Sequence, residues 1–187
     1  MFHVFGFYKF KRLTDLKKIK KSFDKKLIKN HVRGTIIFSR EGINGTISGK
    51  KINLEKITNY LKKAFKIKKF DSENNSISKF QPFHKGKIKI KKEVVPMGIH
   101  VKQFQKYNNS IEPEMWNSLI TQKDIRLIDA RKSFEFNVGT FSGAENSRVD
   151  NFRDFPKYLN KFNKKDKIAM FCTGGIRCEK ASIYLKS

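Results

Sequence analysis

The chain has 187 residues, enough for one large domain or two small ones with a real hydrophobic core. Lys and Arg number 42 against 17 Asp and Glu, and this net charge of +25 favours a polyanionic partner, with nucleic acid the first candidate and a merely lysine-rich solvated surface the alternative. Two cysteines exclude a disulfide framework, no apolar stretch is long enough to span a bilayer, and the start, MFHVFGFYKFKR, carries its charges after a short apolar run, which excludes a signal peptide and points to a reducing cytoplasm.

Residues 2–10 are rich in Phe, Val and Tyr in loose alternation and predict a strand. Leu13, Leu16, Ile19, Phe23 and Leu27 follow at spacings of three or four, with lysines between them and Thr14 as the candidate N-cap. That pattern predicts an amphipathic helix. RGTIIFS reads as a second strand, and Asn44-Gly45 in REGINGTISG reads as a hairpin turn, because both residues tolerate positive φ. Ile47 falls on the return strand. Leu54, Ile57, Leu61, Ala64 and Phe65 predict a second helix by the same spacing rule.

A polar loop is expected around DSENNS, and then HKGKIKIKKEVV alternates Lys85, Lys87, Lys89 and Lys91 with Gly86, Ile88 and Ile90. Period two places the lysines on one face of a strand and the isoleucines on the other. The order β-α-β-β-α-β predicts an α+β, ferredoxin-like domain over residues 1–96, whose basic face is the candidate nucleic-acid-binding surface.

Residues 97–110 read as a linker, and the second domain is expected over 111–187. Pro113 fits the first turn of a helix carrying Met115, Trp116, Leu119 and Ile120. IRLIDAR and KIAMF read as short buried strands. Phe152, Phe155, Leu159 and Phe162 have helical spacing, with Pro156 confining a regular helix to the part after it. IRCEKASIYLK reads as a closing helix. Helices alternating with apolar strands predict a parallel α/β domain.

Cys172 stands where the strand KIAMF gives way to that helix. Ligands and nucleophiles of open α/β sheets collect at the carboxyl ends of the strands. Thr173, Gly174, Gly175 and Ile176 form the connecting loop, whose N–H groups can converge on an anion at the helix start. Arg177 adds positive charge, unless it merely pairs with Glu179 or Asp129. A thiol in such a place is expected to be a thiolate and a nucleophile, the alternative being a cysteine buried beside a tight turn. Cys178 is open to two readings, a resolving thiol or a cysteine buried in the helix. Zinc is excluded by the spacing of the two cysteines and by the lack of a nearby His.

CTGGIRCEK, LIDAR and the run FNVGTFSGA resemble a rhodanese domain. With VRGTIIFSREGINGTISG and PFHKGKIKIKKEVV ahead of it, the chain resembles the rhodanese-containing family of bacterial tRNA uridine hydroxylases. That resemblance implies formation of 5-hydroxyuridine at the wobble position, uridine 34, with molecular oxygen as co-substrate. It implies Cys172 as the active-site cysteine, able to carry a persulfide, and Asp129 and Arg131 as supporting residues after the second rhodanese strand. Two departures stand out. Thr140 occupies the place of a His found in many rhodaneses. Family members continue with a further strand and a Gly-Gly turn where this chain stops at Ser187, so the rhodanese sheet is expected to be truncated, with an open edge on Ile168–Phe171. Four residues separate Cys172 from Arg177, one fewer than in related phosphatases, which favours a sulfur-sized pocket.

The leading expectation is a tRNA-modifying oxidoreductase. Lys85, Lys87, Lys89 and Lys91 would contact the anticodon arm and Cys172 would do the chemistry. With neither a dinucleotide fingerprint nor a His-x-Asp pair, no cofactor held in the chain is expected beyond co-substrate oxygen. A sulfurtransferase served by a sulfur donor protein and an inactive RNA-binding remnant are the alternatives.

Overall fold

The computed structural model describes residues 1–99 and 110–186. The chain divides into two units, Met1–Val94 and Val95–Ser187. The first runs β1 (Phe2–Phe10), α1 (Leu16–Lys29), β2 (Arg33–Ser39), β3 (Gly42–Gly49), α2 (Lys51–Ala64), β4 (Ser72–Ser78) and β5 (Gly86–Ile90). Its five-stranded sheet has the order β4-β1-β3-β2-β5, antiparallel except for the parallel β2/β5 pair. Phe23 and Leu27 of α1 and Leu54, Ile57 and Leu61 of α2 meet Phe7, Ile36, Phe38, Ile43, Ile47 and Ile88 of the sheet in one core. The three-or-four spacing read in the sequence therefore marks the buried faces of both helices.

Four local expectations need correction. The hairpin turn is Arg40-Glu41, since Ser39 pairs with Gly42. Asn44 and Gly45 lie inside β3, opposite Tyr8 and Phe7. Gly45 is there for close packing: a Cβ would meet the Phe7 ring at 2.9 Å. The DSENNS stretch is no loop, because β4 pairs with β1 along seven residues. An edge strand held by its backbone ladder carries little side-chain alternation, which is why its polar sequence hid it. The lysine-rich strand is consequently a fifth strand, on the opposite edge beside β2, and only Lys87 and Lys89 fall within it; Lys85 and Lys91 flank it. Helix α1 begins one residue later than expected: Asp15 is the N-cap, in left-handed conformation, and Thr14 donates to its carboxylate at 3.0 Å.

The second unit runs α3 (Pro113–Ile120), β6 (Ile125–Asp129), α4 (Ser133–Val138), β7 (Glu145–Asn146), a 3-10 turn (Phe152–Asp154), α5 (Phe155–Leu159), β8 (Lys167–Phe171) and α6 (Ile176–Leu185). Its sheet is parallel with the order β7-β6-β8, so among the described residues β8 has one partner, β6. Ile128, Ala130, Phe155, Leu159 and Ala181 form the core. Met97, read in the sequence as the start of a linker, is fully buried in that same core. Residues 100–109 of that linker lie outside the described residues. No described helix is long and apolar enough to cross a membrane.

Candidate active site

The parallel sheet brings the carboxyl ends of β6 and β8 side by side, and the Ala130 N–H donates to the Phe171 carbonyl at 3.0 Å. Asp129 and Arg131 thereby stand beside the loop that carries Cys172. This is the crevice that parallel α/β sheets offer to ligands.

The loop Cys172–Gly175 turns directly into α6, with Gly175 as N-cap at φ 85°. That left-handed conformation is open to glycine at little cost and strained for a side chain. It aims the Gly175 N–H at Cys172, whose Sγ accepts it at 3.1 Å. The thiolate thus sits in the nest that a helix N-terminus makes for an anion.

The Cys172 thiol falls from an ordinary value of 9.0 to about 5. The largest cause is the hydrogen bond that the Cys178 side chain donates; burial opposes it, and the Cys178 N–H, the Arg177 charge and the Arg177 N–H add to it. Cys178 moves the other way, well above its ordinary value, because it gives its proton to that hydrogen bond and because it is buried beside a negative sulfur. At neutral pH Cys172 is the thiolate of the two and Cys178 the thiol. Cys178 lies on the first turn of α6 and packs against the core, a place that fits either reading left open for it, a resolving thiol or a cysteine buried in the helix.

Arg177 pairs with neither Glu179 nor Asp129. Its Nη1 donates to Glu135 Oε2 at 3.2 Å, and its Nη2 donates to Thr173 Oγ1 at 3.1 Å. Thr173 in turn donates to Glu135 Oε1 at 2.9 Å. Burial raises the Glu135 carboxyl, but hydrogen bonds from Arg177, the Lys132 N–H and Thr173 outweigh it and leave the group below the usual range, hence ionised. Glu135 therefore clamps the loop from α4 and offsets the Arg177 charge. Arg131 is held in the same way. Its Nε donates to Asp129 Oδ1 at 2.9 Å and its Nη2 to Oδ2 at 2.7 Å, while the guanidinium lies 5.5 Å from the Phe171 ring centre. Thr140, at the position of the rhodanese His, donates to the buried Asp129 carboxylate at 3.0 Å.

The sequence reading missed two residues here. Glu135 had a signal, an acidic residue in the first turn of a helix just after LIDAR. Lys180 had none: it is fully buried on α6 and donates to the Val95 carbonyl at 3.0 Å, tying α6 to the start of its unit. Lys87 and Lys89 are exposed on β5, and Lys85 and Lys91 are exposed beside it, all in the first unit. Among the described residues no cluster of His, Cys, Asp and Glu could hold a metal ion.

Removing the Glu135 charge should leave an unbalanced guanidinium near Cys172. Glu135→Gln is expected to raise the alkylation rate by anionic iodoacetate, relative to neutral iodoacetamide, by about three- to tenfold. Comparing variant with wild type cancels the attraction of anions to the chain as a whole. An unchanged ratio would mean that Glu135 exerts no field at the sulfur.

Residues 2–94 match the UPF0176 acylphosphatase-like domain, and residues 112–187 match the rhodanese-like domain. The chain is 60% identical, over 186 residues, to the tRNA uridine(34) hydroxylase of Pelagibacter ubique (strain HTCC1062); the alignment covers 100% of this chain and 62% of that protein. Among solved structures, the acylphosphatase of Bacillus subtilis aligns at 12% identity over 48% of this chain and 98% of its own, with a TM-score of 0.34. A bacterial light-regulated adenylyl cyclase aligns at 12% identity over 48% of this chain and 27% of its own, with a TM-score of 0.37.

Proposed function

We propose a function from the premise that the chain belongs to the family joining a UPF0176 acylphosphatase-like domain to a rhodanese-like domain: it is a tRNA-modifying oxidoreductase that converts uridine 34 to 5-hydroxyuridine with molecular oxygen. The observation that carries this reading is the thiolate of Cys172, held at the amino end of α6, in a chain 60% identical to a tRNA uridine(34) hydroxylase.

A soft anion can add to C6 of uracil, because the C4 carbonyl accepts the electron pair through C5. Cys172 supplies that anion at neutral pH. Addition gives C5 enolate character, and C5 then delivers electrons to oxygen. The C5 hydroperoxide so formed is cleaved at its O–O bond by two electrons from an external thiol reductant, which releases the outer oxygen as water, and loss of the C5 proton and of the Cys172 sulfur from C6 then restores the aromatic base with a hydroxyl on C5. Arg177, Thr173 and Glu135 fix the loop so that the sulfur has one direction of attack. Oxygen is the co-substrate of this scheme.

The first unit supplies the RNA contact in this reading, through the anticodon arm. Lys87 and Lys89 project from β5, Lys85 and Lys91 extend the row, and α1 adds exposed Lys17, Lys18, Lys21, Lys25 and Lys29. Changing Lys85, Lys87 and Lys89 together to glutamine should weaken tRNA binding while β5 stays folded, since its inward Ile88 is untouched. The slope of log affinity against log salt should flatten by about 0.7–0.9 for each lysine–phosphate ion pair removed. Filter binding across a salt series measures this, and an unchanged slope would make these lysines a solvated face only.

The function itself is tested by incubating the purified chain in air with a tRNA transcript carrying uridine 34, then weighing the digested nucleosides. A uridine heavier by one oxygen, labelled when the gas is heavy-isotope oxygen, is the expected product. No oxygenated uridine, together with sulfur transfer from thiosulfate to cyanide, would instead make the chain a sulfurtransferase.

A further inference from the structure

The sheet of the first unit has one face under helices and one face without them. Phe7, Ile36 and Ile88 face the helices and pack with Phe23 and Leu54. Strand alternation sends their neighbours to the other side. The register lines up five of those neighbours in one row across all five strands: Asn74 of β4, Gly6 of β1, Thr46 of β3, Thr35 of β2 and Lys87 of β5. Each keeps access to solvent, and Asn74, Thr46 and Lys87 are exposed. On one side of the row the face is closed: Asn44 donates to the Val94 carbonyl at 3.2 Å, and Tyr8 is buried. On the other side Ser48 is fully buried, Gln81 donates to its carbonyl at 3.4 Å, and Arg33 donates to the Phe83 carbonyl at 3.5 Å. The residue steps of β3 from Asn44 to Ser48 make the open strip about 13 Å wide, and the gaps between the five strands make it about 19 Å long.

Gly6 interrupts this row, and nothing inside the fold asks for a glycine there. Its φ is outside the left-handed region. A Cβ would meet Asn74 Cβ at 3.8 Å and Thr46 Oγ1 at 3.9 Å, which are ordinary contacts. Gly45, on the helix side, is the contrast, since the Phe7 ring excludes a Cβ there. A glycine inside a strand weakens it, and one that packing does not require marks a place where a ligand or another backbone comes close. Thr46, Thr35 and Asn74 flank it with groups that both donate and accept hydrogen bonds, as a ribose 2′-hydroxyl does. One edge of the face is cationic, with Lys87 and Lys89 on β5 and Arg33 on β2, all exposed. The paired residues of the two neighbouring rows include no acidic side chain.

We propose that this helix-free face seats a single strand of RNA, the anticodon loop, with its sugar–phosphate backbone crossing the sheet at Gly6. This rests on the reading of the first unit as the part that holds tRNA. Lys87 and Lys89 pair with phosphates, and Thr35, Thr46 and Asn74 hydrogen-bond the ribose hydroxyls and phosphate oxygens. A sheet face of this size holds two or three nucleotides. The row has no aromatic residue for bases to stack on, so it recognises backbone and sugar and leaves the bases turned outward. The strip admits one strand between its two closed sides, not the paired backbones of a duplex. The exposed lysines of α1 belong to the helix side of the sheet and add attraction at a distance.

The test uses the full chain and a fluorescent anticodon stem-loop RNA carrying uridine 34, with binding followed by anisotropy at fixed salt. Thr46→Glu places a negative charge on the row, and Asn59→Glu places the same charge at an exposed site of α2, on the helix side. Thr46→Glu is expected to weaken binding by about tenfold or more and Asn59→Glu by about twofold or less. Gly6→Val blocks the close approach without changing charge, and is expected to lose about tenfold while the thermal midpoint does not fall. On a duplex RNA, which cannot enter the strip, the two glutamate variants should bind alike. Equal losses from the two glutamates on the stem-loop, or wild-type affinity in a folded Gly6→Val, overturn the seat and leave the tRNA reading standing; Thr46→Glu decides alone if Gly6→Val loses its fold. A difference of the same size on duplex RNA overturns the single-strand assignment. Wild type that binds neither RNA overturns the tRNA reading and the seat with it.

Discussion

On the proposed function, Cys172→Ser is expected to lower 5-hydroxyuridine formation by about 10³-fold or more and to leave tRNA affinity unchanged. The size follows from the protonation state. The sulfur at position 172 is an anion at neutral pH, whereas a serine hydroxyl in the same nest keeps its proton and cannot add to C6. Binding is spared because the exposed lysines of β5 and α1 belong to the other unit. Single-turnover assays beside filter binding separate the two effects. Activity within tenfold of wild type would move the chemistry away from Cys172.

The second large effect is on pH dependence. Alkylation of Cys172 by iodoacetamide should be nearly flat from about pH 9 to 6, reach half its plateau near pH 5, and fall about tenfold per unit below that. An ordinary thiol would instead still be gaining rate between pH 7 and 9. Cys178→Ala removes the largest cause of the shift, so the midpoint should move upward by on the order of one unit or more. The sign carries over to stability. Cys172 is depressed on folding, so its contribution is fully present above its unfolded value of 9.0 and is lost as pH falls toward about 5. Cys178 is raised, so its contribution is present below 9.0 and is lost as pH rises further. A wild-type midpoint near 8 or 9 would mean that neither the helix terminus nor Cys178 acts on the sulfur. Peptide mapping at each pH assigns the label to one cysteine or the other.

Much of this architecture was legible because burial follows periodicity. Leu54, Ile57 and Leu61 recur at helical spacing because one face of α2 meets the sheet, and Ile88 between two lysines marks a strand with one wet face. The reading failed where a residue's job is not written in its neighbours. Asn44-Gly45 has the composition of a turn, but Gly45 answers to the Phe7 ring across the sheet. Strand β4 is polar because an edge strand here is held by backbone pairing, so it has no apolar alternation to detect. Met97 looked like the start of a linker because its burial comes from residues such as Phe155 and Ala181, far along the chain.

The site divides in the same way. Cys172, the glycines and Arg177 announced themselves because an anion nest is a local backbone motif, contiguous in sequence. Glu135 did not, since its partners Thr173 and Arg177 lie about 40 residues away and meet it only after β6 and β8 pair. Lys180 is harder still. A lysine on a helix ordinarily faces water, and the Val95 carbonyl that allows its burial comes from the opposite end of the unit. Cys178 was visible as a residue, but its hydrogen bond to Cys172 depends on how the loop folds back over the first turn of α6.

The most direct measurement is nucleoside mass spectrometry of wobble uridines from cells lacking this gene, complemented with wild type or with Cys172→Ser and grown in air. The expected result is 5-hydroxyuridine restored by wild type and absent with the serine variant. Equal 5-hydroxyuridine in the two complemented strains, or no change on deleting the gene in cells with no second route to this base, would contradict the assignment of Cys172 as the nucleophile of a uridine hydroxylase.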